Sequence, residues 1–155
     1  MTNNDILRRI RFLFDFSDSK MIEIFAIADF QTNRAQISNW LKKDDDPDFQ
    51  EITDTLLATF LNGLIVDKRG RKEGPQPIPE NRINNNIVFR KLKIALNLQD
   101  DDILEILLLS EFRLSKHELS AFFRNPSQRQ FKSCNDQILR NFLNGLKKRN
   151  SLLSN

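Results

Sequence analysis

The sequence contains clusters of lysine and arginine, whose type and spacing are suited to binding phosphate groups. One cluster, KRGRK, follows the letters FLNGL in the middle of the chain, and another, KKR, follows the same letters near the end. Together they could form one patch whose affinity falls with salt, because bound counterions are released. With two further basic residues, the candidate nucleic-acid-binding residues are Lys68, Arg69, Arg71, Lys72, Lys116, Arg124, Lys147, Lys148 and Arg149. The alternatives are a solvated linker and cations that favour a helix C-terminus.

A further basic set lies where a helix-turn-helix would place its recognition helix. The span Met21–Lys43 has suitable lengths. The corresponding helix in the second half bears Lys116, His117 and Arg124, with Arg129 and Lys132 beyond it. Both turns lack glycine, however, and the acidic Asp29 and Glu111 stand at the entrance of the second helix. An ordinary helical hairpin is therefore favoured, with a DNA-binding unit as the alternative.

Other candidate sites fail on residue type or spacing. Asp44–Asp48 begins like a calcium-binding loop, but Phe49 and Thr55 occupy the positions that require Gly and Glu. His117 is the only histidine, and a lone imidazole makes no metal site. Cys134 aligns with an apolar residue of the first half and is expected to lie in the core. We therefore expect no metal, no cofactor and no enzymatic activity.

The elements that position these residues form an internal repeat with an offset of 82 residues. The repeated signature is Phe60, Leu61, Asn62, Gly63 and Leu64, and again Phe142, Leu143, Asn144, Gly145 and Leu146. Both glycines lie inside an apolar helical pattern, where glycine costs about 1 kcal/mol relative to alanine. We therefore expect a close helix–helix approach at each. The two asparagines need hydrogen-bond partners if they face the core.

Apolar residues recur at helical spacing in both halves, and no strand-like alternation occurs. Expected caps are Asn3 or Asn4, Asp18 and Asn33 in the first half, and Asp100 and Ser115 in the second. The fourth helix is expected to start near Thr53 or Asp54. The predicted fold is all-α, a tandem repeat of two similar four-helix units packed together. The boundaries are 1–66 for the first repeat, 67–84 for a basic, proline-rich linker, 85–150 for the second repeat and 151–155 for a frayed tail.

One polar pair recurs with the repeat. Arg8 and Asp54 of the first half correspond to Arg90 and Asp136 of the second. We therefore expect an ion pair that ties the first helix to the fourth in each repeat.

Composition limits the remaining possibilities. Residues 1–67 carry a net charge of −5, residues 68–84 of +3 and residues 85–155 of +5. Such asymmetry suggests a polyanion partner for the second half, contact between unlike halves, or two solvated surfaces that differ in charge. A single cysteine excludes an intramolecular disulfide, and no segment resembles a signal peptide or a membrane span. We expect a cytoplasmic protein without a membrane partner.

The sequence resembles the bacterial family called domain of unknown function 1456. The resemblance rests on NNDILRRIRF, WLKK with an acidic loop, FLNGL, the KRG linker, RINNNIVFRKLKIAL and the second FLNGL, and it covers nearly the whole chain. It implies two tandem copies of that domain in a bacterial protein and supplies no activity or site. The predicted function is macromolecule binding, with nucleic acid favoured. The alternative is a protein-interaction or scaffold module that uses the acidic first repeat or a groove between the repeats.

Overall fold

The computed structural model describes residues 1–154, and that range contains eight α-helices and no strand. The chain divides into two compact units, unit 1 from Met1 to Ile83 and unit 2 from Asn84 onward. The helices are α1 (Asn3–Phe14), α2 (Asp18–Ile27), α3 (Arg34–Leu41) and α4 (Asp54–Arg69), then α5 (Asn85–Ala95), α6 (Asp100–Leu109), α7 (Lys116–Ala121) and α8 (Asp136–Leu153). The predicted all-α tandem repeat of four-helix units is confirmed.

Helix α1 begins one residue earlier than predicted. Thr2, rather than Asn3 or Asn4, is its N-cap, and Thr2 exchanges hydrogen bonds with Asp5 in a capping box. Both asparagines are therefore free for bonds to other segments. Because a cap is a local bond and the asparagines bond across the fold, only the tertiary structure distinguishes the two uses.

Helices α2 and α6 also begin one residue earlier than predicted, at the residues that were predicted as their caps. Ser17 caps α2, and Gln99 precedes α6. Asp18 and Asp100, predicted as caps, are the first helical residues, where a carboxylate still interacts favourably with the helix dipole.

Two predicted caps, Asn33 and Ser115, and the predicted start of α4 near Thr53 or Asp54 are confirmed. Asn33 caps α3, Thr53 caps α4 and Ser115 caps α7. Ser115 and Glu118 form both bonds of a capping box, each 3.1 Å long.

The two repeated glycines lie where helices cross. In unit 1, α4 packs against α2, and in unit 2, α8 packs against α6. A Cβ on Gly63 would lie 2.1 Å from the carbonyl oxygen of Ile24, and one on Gly145 would lie 2.1 Å from that of Ile106. The predicted close approach is confirmed at both positions, because no side chain fits between the backbones.

Aromatic rings fill both cores. In unit 1 the ring of Phe25 lies 5.1 Å from that of Phe60 and 5.3 Å from that of Trp40. In unit 2 the ring of Phe89 lies 4.6 Å from that of Phe142. The phenylalanine of each FLNGL signature is therefore a central core residue, whereas its partner ring comes from α2 in one unit and from α5 in the other.

Two helices extend beyond their predicted ends. Helix α4 continues through Lys68 and Arg69, which we had assigned to the linker, and ends at Gly70 with φ of 84°. Helix α8 includes Ser151–Leu153, which we had predicted to be frayed. The Ser151 hydroxyl donates to the carbonyl of Lys147 at 3.1 Å, which supports this last turn. Asn155, also part of the predicted tail, lies outside the described residues.

Candidate nucleic-acid interface

Asn4 fixes the segment that leads into the fourth helix of unit 1. Its side-chain amide donates to the carbonyl oxygens of Trp40 and Gln50, both at 2.8 Å. Its amide oxygen accepts from the N–H of Ile52 at 3.2 Å. Because Asn4 is only 2% exposed, these bonds satisfy groups that water cannot reach.

Asn86 forms the same three bonds in unit 2. Its amide donates to Phe122 and Lys132 at 3.0 and 2.9 Å, and it accepts from the N–H of Cys134 at 2.9 Å. The N–H of Lys132 also donates to the carbonyl of Ala121 at 3.1 Å. The loop after α7 is therefore closed at its base.

The predicted ion pairs Arg8–Asp54 and Arg90–Asp136 are wrong. Arg8 instead pairs with Asp5 on its own helix, at 2.6 Å, and Arg90 is exposed. The local pair is favoured because residues three apart on a helix are already neighbours.

A side-chain amide takes the place expected for the arginine. Asn3 donates to the carboxylate of Asp54 at 2.7 Å, and Asn85 donates to that of Asp136, also at 2.7 Å. The sequence carried this signal, since both partners are identical in the two repeats. The first and fourth helices are therefore joined by an amide–carboxylate hydrogen bond in place of the predicted ion pair.

A recurring ion pair that we had not predicted joins the first helix to the second. Arg11 lies 3.2 Å from Asp18, and Lys93 lies 2.8 Å from Asp100. The two acids are identical in the repeat alignment, whereas the cation changes type. All four side chains are partly exposed, so we expect each pair to contribute less than about 1 kcal/mol.

The helical hairpins turn without glycine. Asp29 in unit 1 and Glu111 in unit 2 adopt left-handed φ angles of 63° and 58°, the conformation that glycine would otherwise supply. The absence of glycine from these turns is therefore no argument against a helix-turn-helix.

Equivalent segments after this turn carry opposite charge. Residues 29–51 contain three Lys and Arg and six Asp and Glu, a net charge of −3. Residues 111–133 contain five Lys and Arg and two Glu, a net charge of +3. The acids of Asp44–Asp48 have no acidic counterpart in unit 2, where Arg129 replaces Pro47. One backbone frame thus presents an acidic loop in unit 1 and a basic loop in unit 2.

Four cations of unit 2 lie on α7 and on the loop that follows it. The N–H of Lys132 in this loop donates to the carbonyl of Ala121, the last residue of α7. We call the four cations the basic surface: Lys116, Arg124, Arg129 and Lys132. Arg124 is half-buried and the other three are exposed. Lys116 lies 3.5 Å from Asp101, but both side chains are well exposed, so this pair leaves the ammonium group accessible.

The end of the basic loop lies beside the start of α7. Hydrogen bonds from the backbone N–H and hydroxyl of Ser115 lower the pKa of Glu118, and the nearby Lys132 lowers it further. Glu118 is thus held as a carboxylate by its cap, and Lys132 lies close enough to influence it.

One residue of the predicted tail cluster makes a structural contact. Lys148 donates to the carbonyl of Leu109 at the C-terminus of α6, at 3.0 Å. Lys147 and Arg149 are half-buried on α8. The alternative considered for this cluster, cations at a helix C-terminus, therefore describes Lys148, although the helix is α6 rather than α8.

The predicted linker cluster divides in two. The ammonium group of Lys68 lies 4.7 Å from the ring centre of Phe14, and Arg71 donates to the carbonyl of Ile27 at 2.8 Å. Arg69 and Lys72 make no such contact, and all four side chains are exposed. Ile27 corresponds to Leu109, so both units cap the same carbonyl with a cation, which comes from the linker in unit 1 and from α8 in unit 2. A single patch that combines linker and tail stays a prediction.

Residues 3–70 and 85–150 both match the family described as "Protein of unknown function (DUF1456)". The chain belongs to this family. It is also similar to the uncharacterized protein YehS of Escherichia coli (strain K12), with 46% identity over 147 residues, which is 94% of each chain. No solved structure matches. Each DUF1456 copy thus corresponds to one four-helix unit, and the intervening residues 71–84 belong to neither copy.

The two DUF1456 copies differ at the asparagine of the FLNGL signature. Asn62 is 8% exposed, whereas Asn144 is exposed. In unit 1, Asn62 lies beside a cavity of about 240 Å³ whose outer wall is the linker segment Gln76–Pro79. The linker that follows α4 therefore lies along a face that contains Asn62.

Within residues 1–154 of this DUF1456 protein, no three His, Cys, Asp or Glu side chains group so that they could hold a metal ion. None of the described helices has the length and apolar composition needed to cross a membrane. The acids of Asp44–Asp48 are spread along a surface loop, where Asp46 accepts a bond from the N–H of Asp48 at 2.9 Å.

Proposed function

We propose that this protein is a non-enzymatic binding protein whose ligand is nucleic acid, held on the basic surface of unit 2. The observation that carries the proposal is the reversal from −3 to +3 between equivalent segments on the same backbone frame. Loop closure does not require either charge, because the asparagine that closes the loop is the same in both units. In unit 1 two of the acids have cationic neighbours, Asp44 at 3.5 Å from Arg8 and Asp48 at 3.6 Å from Lys42.

Phosphate binding fits the chemistry of this surface. Lys116, Arg129 and Lys132 are exposed, so their charged groups can meet a phosphate backbone without a large loss of solvation. Each phosphate that is neutralised releases condensed counterions, which makes such binding depend on salt. The loop is closed at both ends, so little conformational freedom is lost on binding.

The predicted linker and tail residues contribute unequally to this proposal. Arg69 and Lys72 are retained as additional phosphate contacts because they are exposed and make none of the internal contacts described for Lys68 and Arg71. Lys68, Arg71 and Lys148 have the internal contacts described above, and their neutralisation would therefore disturb stability as well as binding.

The experiment is fluorescence anisotropy of labelled nucleic acid at low and moderate salt, with a variant that combines Arg129→Gln and Lys132→Gln. We expect micromolar binding whose log–log salt slope becomes shallower by about 2 in the variant, since each neutralised phosphate contributes about 0.9. The matched control combines Arg34→Gln and Lys43→Gln, which removes two cations from the equivalent hairpin of unit 1. The control should retain the wild-type slope.

Absence of binding at low salt to duplex and single-stranded probes alike would overturn the proposal. An equal loss in both double variants would also contradict it, because binding would then follow total charge rather than the basic surface.

A protein partner is the second candidate function, and the acidic loop of unit 1 favours it. Asp44, Asp45 and Asp48 are exposed in a loop whose base is closed by Asn4. A basic protein segment could bind these carboxylates. If nucleic acid does not bind, a variant with all three aspartates changed to asparagine should lose a partner that the wild-type protein retains in cross-linking experiments.

A further inference from the structure

We infer that the nucleic acid held by the basic surface is duplex DNA, contacted through phosphates and base edges rather than through stacked bases. This inference rests on the proposed function and specifies its ligand. Three features of unit 2 carry it: the positions of its aromatic rings, the orientation of two loop amides and the shape of the segment that bears them.

The aromatic rings of the basic segment do not form a stacking surface. Phe122 is buried, and Phe123 packs edge-on against Phe89 at 4.9 Å with Lys93 above its ring at 4.4 Å. Within residues 111–133, which the structure describes throughout, no phenylalanine is exposed. Proteins that hold single strands use exposed aromatic rings on which successive bases stack. This surface therefore favours a ligand whose bases stay paired.

Two amides of the loop present donors outward. The side-chain oxygen of Asn125 accepts from the N–H and hydroxyl of Ser127, both at 2.9 Å, and the side-chain oxygen of Gln128 accepts from the N–H of Asn125 at 3.2 Å. Because these bonds occupy the oxygens, the NH₂ groups of both exposed side chains can donate to a ligand. Phosphate oxygens and the major-groove acceptors of guanine, adenine and thymine are the matching partners.

Unit 1 lacks these donors on the same frame. Lys43 and Asp46 stand where Asn125 and Gln128 stand in unit 2, and the Asp46 carboxylate accepts the N–H of Asp48. This bond differs from the one that Gln128 accepts in unit 2, which comes from the N–H of Asn125, and a carboxylate offers no donor. The amide donors are therefore a property of unit 2 and not a requirement of the loop.

Groove geometry favours duplex DNA over duplex RNA as the ligand. Helix α7 and its loop place these donors on short, closed backbone segments. The major groove of B-form DNA is about 12 Å wide and admits a helix, whereas that of A-form RNA is too narrow for side chains to read. A surface of donors without stacking rings therefore suits duplex DNA.

The test uses three labelled probes of one sequence: duplex DNA, single-stranded DNA and duplex RNA, each measured by anisotropy with the full chain. We expect duplex DNA to bind at least about tenfold more tightly than either alternative. Preference for single-stranded DNA, or for duplex RNA, would overturn this inference while the proposed function stood. No binding to any probe would instead overturn the proposed function.

A charge-matched pair of variants tests the amide donors. Gln128→Glu keeps an oxygen for the N–H of Asn125 and replaces the outward donor with a negative charge. Ser133→Glu adds the same charge nearby and restores the residue type found at the equivalent position of unit 1, Glu51. We expect Gln128→Glu to weaken duplex binding by about tenfold or more, and Ser133→Glu by severalfold less. Equal losses would show that only net charge matters and would overturn the role of the amide. Thermal melting of both variants checks that the fold is intact.

Discussion

In both units an asparagine near the start of the first helix closes the loop before the fourth helix, yet that loop is acidic in unit 1 and basic in unit 2. Asn4 and Asn86 make the same three bonds at nearly the same distances. These bonds go to backbone groups, so they leave the side chains of the loop unspecified. The comparison shows that a frame built from side-chain-to-backbone bonds can hold surfaces of opposite charge.

Helix C-terminal capping gives a second difference between the units. The carbonyl of Ile27 is capped by Arg71 of the linker, and the equivalent carbonyl of Leu109 is capped by Lys148 of the unit's own last helix. Unit 1 thus uses a residue beyond its four helices, whereas unit 2 does not. The same backbone requirement is met by residues that no alignment of the two repeats would pair.

The largest expected effect concerns the thiol of Cys134. Burial and the nearby Asp136 raise its pKa to about 12, from an ordinary 9.0, which lowers the thiolate fraction about a thousandfold at neutral pH. We expect alkylation of the native protein to be slower by about this factor than that of an exposed thiol. Ser133→Cys in a Cys134→Ile background supplies the exposed reference, followed by mass spectrometry.

The same measurement compares the units. Ile52 corresponds to Cys134 and is 3% exposed, against 5% for the cysteine. Ile52→Cys in the Cys134→Ile background should therefore be protected to a similar degree. Rapid alkylation at position 52 alone would show that the loop of unit 1 opens more readily than the loop of unit 2. The two closed loops would then differ in local stability.

The glycines at the helix crossings should give the largest losses of stability. Gly63→Ala and Gly145→Ala each place a Cβ about 2 Å from a backbone carbonyl. We expect each to lower the free energy of unfolding by about 2–3 kcal/mol, even after the roughly 1 kcal/mol gained in helix propensity. Denaturant unfolding measures the effect. Gly74→Ala, where nothing lies within 4 Å, should lose only about 1 kcal/mol from its positive φ. A stabilised Gly63→Ala or Gly145→Ala would refute the close approach.

The two loop-closing asparagines should contribute differently to stability, because they differ in burial. Asn4 is buried, and Asn86 is half-buried with one bond near the surface. We expect Asn4→Ala to lower the free energy of unfolding by about 3 kcal/mol and Asn86→Ala by about 1–2 kcal/mol. The loss is smaller at Asn86 because water can replace some of its hydrogen bonds. Asn4→Asp keeps the shape and the acceptor but removes both donors, so it should be nearly as destabilising as alanine. Equal losses at the two asparagines would contradict the role of burial.

The smallest expected effect is a pH dependence at the start of the third helix, which unit 2 has and unit 1 lacks. The capping bonds of Ser115 lower the pKa of Glu118, whereas the equivalent residue of unit 1 is Gln36, which does not titrate. A lowered carboxyl pKa stabilises the folded state above the ordinary value of about 4.3, and this contribution is lost as pH falls through the folded pKa.

Glu118→Gln should therefore reduce the melting temperature slightly at pH 7 and have no effect at a pH below the pKa of folded Glu118. Thermal melting across this range checks it. A difference that persists at low pH would show that the effect comes from packing and not from charge.

The repeat, the helices and the two glycines followed from the sequence because each depends on local pattern. Helical periodicity is a property of neighbouring residues, and glycine inside an apolar helix has few explanations other than close packing. Asn33 and Ser115 were correct as caps, and the start of the fourth helix near Thr53 or Asp54 was correct, for the same reason. At Asp18 and Asp100 the prediction missed by one residue, since an acid serves a helix both as its cap and in its first turn.

Only the tertiary structure decided what the paired polar residues bind. The sequence showed that Arg8 and Asp54 recur together, but it could not show that Arg8 turns to Asp5 and that Asn3 reaches Asp54. It likewise could not assign Arg71 and Lys148 to helix carbonyls far along the chain. Long polar side chains reach several partners of similar energy, and the choice among them depends on where the backbone places each carbonyl and carboxylate. The charge of each segment was fixed by residue type, whereas which cations remained exposed to a ligand was fixed by the fold.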